Sequence, residues 1–133
     1  MFTIEPVDGE FSICKLPAAA IGGLRIEEFM FLAATDREFS LVCRTENVPP
    51  CAFRRADGRR LFRFAGTLDF SLTGVLAGVS QVLAAAGIGI FAISTFDTDY
   101  ILTEAVDFDR ALTVLKQSGY AIAEPVGAEE SVT

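Results

Sequence analysis

Asp97 and Asp99 stand two residues apart in "STFDTD" (94–99), a polar island inside "FAISTFDTDYIL" (91–102). Paired acids at that spacing could do general acid–base work, or could receive an ammonium group. A polar turn in which Asp97 bonds to the backbone accounts for the same residues. A second stretch, "GTLDFSLTG" (66–74), offers Asp69, Ser71, Thr73 and Gly74 just ahead of a helical pattern. A helix start presents unpaired N–H groups and positive dipole character, which suit an α-carboxylate. Gly74 lets a ligand approach the backbone. Capping of the helix by Asp69 or Ser71 explains the same residues and is compatible with binding.

Catalysis has little to work with. The chain contains no histidine, which removes Ser-His-Asp and Cys-His arrangements and the commonest metal ligand together. Cys14, Cys43 and Cys51 are odd in number and form no CxxC, against a disulfide framework or zinc site and in favour of a reducing compartment. Cys14 and Cys43 lie in apolar alternating runs and read as small buried hydrophobes. No catalytic residue, metal or cofactor is expected.

The 133 residues carry a net charge of −7, with 51% hydrophobic and 22% charged residues, enough apolar material for a core. Residues 1–60 hold eight cations against nine anions, and residues 61–133 three against nine. An acidic surface repels phosphate backbones, so nucleic acid is not an expected partner. The one basic cluster, Arg54, Arg55, Arg59, Arg60 and Arg63, flanks Asp57-Gly58, a hairpin signal; it reads as solvated hairpin arms, with an anion patch as the alternative. Residues 70–96 hold no charge and are long enough to span a bilayer. Polar Ser71, Thr73, Ser80 and Gln81 on one face, the breaks at Gly87 and Gly89, and the β-like "IFAISTF" argue against a span. Glu5, Asp8 and Glu10 argue against a secretory leader.

The elements that would position these residues are clearest in the second half. In "SLTGVLAGVSQVLAAAG" (71–87) the large apolar residues step by three and four, which predicts a helix stopped by Gly87. Its opposite face, including Gly74, Ala77, Gly78, Gln81, Ala84 and Ala85, carries no charge, as if another surface covered it. Residues 89–96 and 99–105 read as a hairpin, 108–118 as a helix capped by Asp107 and ended by Gly119, and 120–124 as a last strand. Residues 60–124 thus predict a β-α-β-β-α-β order, the ferredoxin-like fold of the α+β class. Residues 10–56 repeat that order weakly, with stubs for helices; Pro49-Pro50 leaves room for one turn at most.

The stretches "DFSLTGVL" and "GIGIFAISTFDTDYIL" resemble the small bacterial ACT-domain proteins, and are similar to the paired ACT domains of aspartate kinases and the ACT modules of cytosolic arginine sensors. The resemblance covers about residues 60–120. It implies two tandem ACT-like units: 1–58, the first with degenerate helices; 59–125; and then 126–133 as a flexible acidic tail. It implies an amino-acid-binding regulatory protein, cytoplasmic and homodimeric, with no chemistry of its own and no membrane. It further implies a ligand held by Leu68, Asp69, Phe70, Ser71, Leu72, Thr73 and Gly74 on one side and by Ile93, Ser94, Thr95, Phe96, Asp97 and Thr98 on the other. Backbone N–H groups near Leu72–Gly74 would take the carboxylate, Asp69 or Asp97 the ammonium, and Phe70 and Phe96 would wall the pocket. The competing expectation is a protein–protein interaction module without a small ligand.

Overall fold

A computed structural model of the chain describes residues 2–66 and 74–127. The elements run β1 (Thr3–Leu16), β2 (Phe31–Ala34), β3 (Phe39–Arg44), β4 (Arg54–Phe64), α1 (Val75–Ala85), β5 (Phe91–Ser94), β6 (Asp99–Glu104), α2 (Ala105–Gln117) and β7 (Ala121–Ile122), with 3-10 turns at Ala18–Gly23 and Thr45–Asn47. This is an α+β fold with mostly antiparallel pairing. Contacts divide it into two compact units, residues 9–59 and residues 2–8 with 60–127. The long strands β1 and β4 contribute a part to each. Their antiparallel pairing is closed at one end by Phe53 N–H donating to the Lys15 carbonyl (3.1 Å), and at the other by Ala65 N–H donating to that of Thr3 (2.9 Å).

Within residues 2–8 and 60–127 the strands lie in the order β7-β1-β4-β6-β5. The chain order from β4 onward is the β-α-β-β-α-β that the sequence predicts. One pairing is particular: β7 runs parallel to β1, with Thr3 opposite Ala121 and Ile4 opposite Ile122. The flank of β4 is already taken by residues 3–8. Val126, the first residue of the expected loose tail, donates its N–H to the Pro6 carbonyl at 2.8 Å. Residues 128–133 lie outside the described residues.

The core of this unit joins Phe62 and Phe64 of β4 to Val79 and Leu83 of α1 and to Phe108, Ala111 and Leu115 of α2. The three–four spacing read in the sequence is the face that α1 buries. Both helices end alike. Gly87 (φ +73°) and Gly119 (φ +103°) take the left-handed conformation, so that Ile88 N–H reaches the Leu83 carbonyl and Tyr120 N–H that of Leu115. Ile88 and Tyr120 are thereby turned into the same core. Two starts differ from expectation. The described helix α1 begins at Val75, later than residue 71, and α2 begins at Ala105 behind Glu104. Asp107 is therefore not the cap: it lies in the first turn and accepts a hydrogen bond from Arg110 at 3.1 Å.

Residues 9–59 place their strands in the order β2-β3-β1-β4. Cys14, Leu16, Leu41 and Cys43 form the core, backed by Ile21, Leu24, Met30, Val48 and Ala52. The predicted Asp57-Gly58 hairpin is absent, because β4 runs straight through it. Gly58 accommodates a φ of +73°, and the Asp57 carboxylate accepts from the buried Ser12 hydroxyl (2.6 Å) and from Arg55 (2.9 Å). Pairing with β1 and these bonds override the local turn preference.

The hairpins β2-β3 and β5-β6 share one register. Phe31 faces Val42 and Ala34 faces Phe39; adding 60 to each number gives the observed pairs Phe91 with Leu102 and Ser94 with Asp99.

Burial raises the thiol pKa of Cys14 and pushes that of Cys43 up to about 12, while Cys51 is exposed. A thiol reagent at pH 8 is expected to modify Cys51 quickly, and Cys14 and Cys43 only after denaturation. Three thiols reacting at one rate in the native protein would contradict this burial. The sign of the linkage follows: protonated Cys43 stabilises the fold up to about pH 9, and that contribution is lost as pH rises toward 12.

Candidate functional site

The 94–99 hairpin is built as a tied turn. Thr95 N–H donates to the Thr98 carbonyl at 2.9 Å, and the Thr95 hydroxyl to the same oxygen at 3.2 Å. The Thr98 side chain is buried, 7% exposed, and its hydroxyl donates to the Phe64 carbonyl at 3.1 Å. This bond fixes the hairpin tip against the end of β4, two residues before Gly66. The two stretches singled out in the sequence therefore start from one end of this unit's sheet.

The residues of the second stretch divide by role. Thr98 is an anchor. The Ser94 hydroxyl donates to the Asp99 carboxylate, and Asp99 opens β6, as its position suggested. Ile93 is half-buried, while Ser94, Thr95, Phe96 and Asp97 are exposed, Phe96 to 78%. Asp97 and Phe96 thus present an acid and a ring to whatever approaches the tip.

Of the first stretch, Leu68, Asp69, Phe70, Ser71, Leu72 and Thr73 lie outside the described residues. Gly74 occupies the N-cap position of α1 with φ +79°, a conformation open to glycine and strained for valine. Its carbonyl accepts from Gly78 N–H at 2.8 Å. The first-turn amides of Val75, Leu76 and Ala77 are then the donors that a helix start leaves without intrahelical acceptors. The sequence reading set the carboxylate donors at Leu72–Gly74; the observed helix start lies just after them.

Three residues of the basic cluster have side-chain partners. Arg55 pairs with Asp57, Arg60 lies over the Phe108 ring at 4.3 Å, and Arg63 donates to Glu5 at 2.6 Å. Three of the five cations thus face three different partners. Among the described residues no group of three His, Cys, Asp or Glu could hold a metal ion, and no helix is long and apolar enough to cross a membrane.

Comparison with known proteins bears out the resemblance read from the sequence. Residues 55–117 match the ACT domain family model. An Agobacterium tumefaciens protein of known crystal structure superposes with a TM-score of 0.79 at 27% identity, over 99% of this chain and 97% of that one. The aspartate kinase of Clostridium acetobutylicum superposes at 0.65 with 13% identity, over 86% of this chain and 34% of the kinase. The ligand-free regulatory subunit of Thermus thermophilus aspartate kinase superposes at 0.61 with 12% identity, over 90% and 99%. At those last identities the likeness is one of fold. No curated protein matches the chain.

Proposed function

We propose, from the ACT-domain match over residues 55–117, that this chain is an amino-acid-binding regulatory protein without catalytic activity of its own. One observation carries the site: the Thr98–Phe64 bond, which holds the 94–99 hairpin beside the end of β4 from which residues 66–74 depart. A ligand there has its carboxylate on the N–H groups at the start of α1 and its ammonium on Asp97 or Asp69, with Phe96 and Phe70 as walls. Leu68, Ser71, Leu72, Thr73, Gly74, Ile93, Ser94, Thr95 and Thr98 complete the lining. The chain comprises two tandem ACT-like units, the first with degenerate helices, and the matching hairpin registers support that duplication.

The protein works in the cytoplasm as a homodimer. Ala77, Gln81, Ala84 and Ala85, exposed and uncharged on α1, support contact with a second copy. The same face favours a second reading, an interaction module that binds a protein and no small ligand.

Titration calorimetry with Asp97→Ala separates the readings. Asp97 is exposed, so the variant should keep its stability within about 0.5 kcal/mol. It should also lose at least tenfold in affinity for the amino acid that wild type binds. Wild-type affinity in the variant would remove Asp97 from the site.

A further inference from the structure

A cleft of about 420 Å³ opens in residues 9–59 between the two 3-10 turns, Ala18–Gly23 and Thr45–Asn47. Its size falls within the range of small-molecule sites, roughly 300–1,000 Å³. The gap follows from the length of the connections. In residues 60–127, β4 leads to β5 and β6 to β7 through helices of 11 and 13 residues, whose Val79, Leu83, Phe108, Ala111 and Leu115 are buried against the sheet. In residues 9–59, β1 leads to β2 and β3 to β4 through turns of six and three residues. Ala20, Leu24 and Val48, in or next to these turns, pack onto Cys14, Leu16, Leu41 and Cys43, and all three stay half-buried. The same three line the cleft, so its floor is the outer layer of this unit's core.

The walls offer a polar ligand little. The amides of Ala20 and Leu24 donate to the Pro17 and Ile21 carbonyls at 3.0 and 3.2 Å, and that of Val48 to the Thr45 carbonyl at 3.3 Å. Pro49 and Pro50 continue the wall and have no amide N–H to give. The Pro49 carbonyl already accepts from Ala52 at 3.0 Å. Arg25 pairs with Glu27 at 2.8 Å, and Glu46 is exposed, so the lining's two charges belong to its rim. A ligand here gains by covering apolar surface, and any charge of its own would lose water without finding a partner on the floor. Proline rings also present C–H faces that pack on aromatic rings, the contact on which proline-rich recognition rests.

We propose that this cleft is a binding site for an uncharged, mainly apolar molecule of one or two rings. The rings lie on Ala20, Leu24 and Val48, against Pro49 and Pro50, and supply apolar volume that the short turns do not. Neither the ligand chemistry nor the residues are those of the site proposed at 68–74 and 93–98, and each stands or falls without the other.

The test is an amide-resolved NMR titration of the whole chain with indole and with 2-naphthol, both uncharged at neutral pH. The charged controls are tryptamine and indole-3-acetate, which keep the indole ring and add one charge. At least one uncharged probe should move the amides of Ala20, Gly23, Leu24, Asn47 and Val48 together. It should saturate with a Kd of about 1 mM or tighter, within reach of a ligand of about ten heavy atoms. Both controls should bind about tenfold more weakly or worse. Val48→Asn places an amide on the floor and should weaken binding about tenfold. Gly23→Leu narrows the cleft at a position where a Cβ meets nothing within 4 Å, so the fold has room for it, and should weaken binding as much. No saturable movement at these amides with either probe overturns the proposal. So does a control that binds as well as indole, or wild-type affinity in either variant that keeps the spectrum of a folded protein. Movement confined to Thr95–Asp99 likewise overturns it.

Discussion

Phe62→Ala is expected to lower the unfolding free energy by about 3–5 kcal/mol, read as the midpoint of chemical denaturation. Phe62 is fully buried and packs on Phe108 with ring centroids 6.3 Å apart, where β4 meets α2. Truncation removes apolar surface from the core and leaves a cavity whose walls include Leu83 and Leu115, held on helices that cannot collapse into it. Against a whole-domain stability of about 5–15 kcal/mol, this loss is large. The melting temperature should fall by roughly 10–20 °C. A loss below about 1 kcal/mol would mean that β4 and α2 do not share a packed core.

Gly9→Val is expected to cost about 2–4 kcal/mol, from backbone strain and a clash acting together. Gly9 has a φ of +98°, which β-branched residues scarcely adopt. A Cβ there would also lie 2.5 Å from Nη1 of Arg44. That guanidinium has nowhere to retreat: it is 6% exposed and stacks over Phe11 at 5.1 Å and Phe29 at 5.3 Å. Gly9→Ala should cost less, since alanine keeps the clash but meets a milder backbone penalty. If Gly9→Val keeps wild-type stability, the left-handed turn in β1 and the seating of Arg44 are both wrong.

These two positions also mark where sequence reasoning held and where it did not. Phe62 sits in the first strand of the β-α-β-β-α-β order read over residues 60–124, and the three–four steps of Val75 to Ala86 placed the helix that covers it. The stops at Gly87 and Gly119 were legible because a left-handed C-terminal residue is a local requirement. The start of β1 was not. Residues 3–8 hold Glu5, Pro6 and Asp8, poor strand formers, yet they pair on both sides: Glu5 is neutralised by Arg63, and β7 closes the other flank. Asp57-Gly58 failed in the opposite direction, since a strong local turn signal yielded to long-range pairing.

The site was legible in part for the same reason. The turn at 94–99 is local chemistry, read from Thr95 to Asp99. Its anchoring on Phe64 depends on strand order, which no local pattern encodes.

The proposed function is the sensing of an amino acid. Thermal unfolding of the full-length protein against each of the twenty amino acids, at millimolar concentration, tests it most directly. A ligand at a hundred times its Kd stabilises the native state by about 2.7 kcal/mol, a rise of several degrees. Such a rise is expected with one or a few of the twenty. An unmoved transition with all twenty would contradict it.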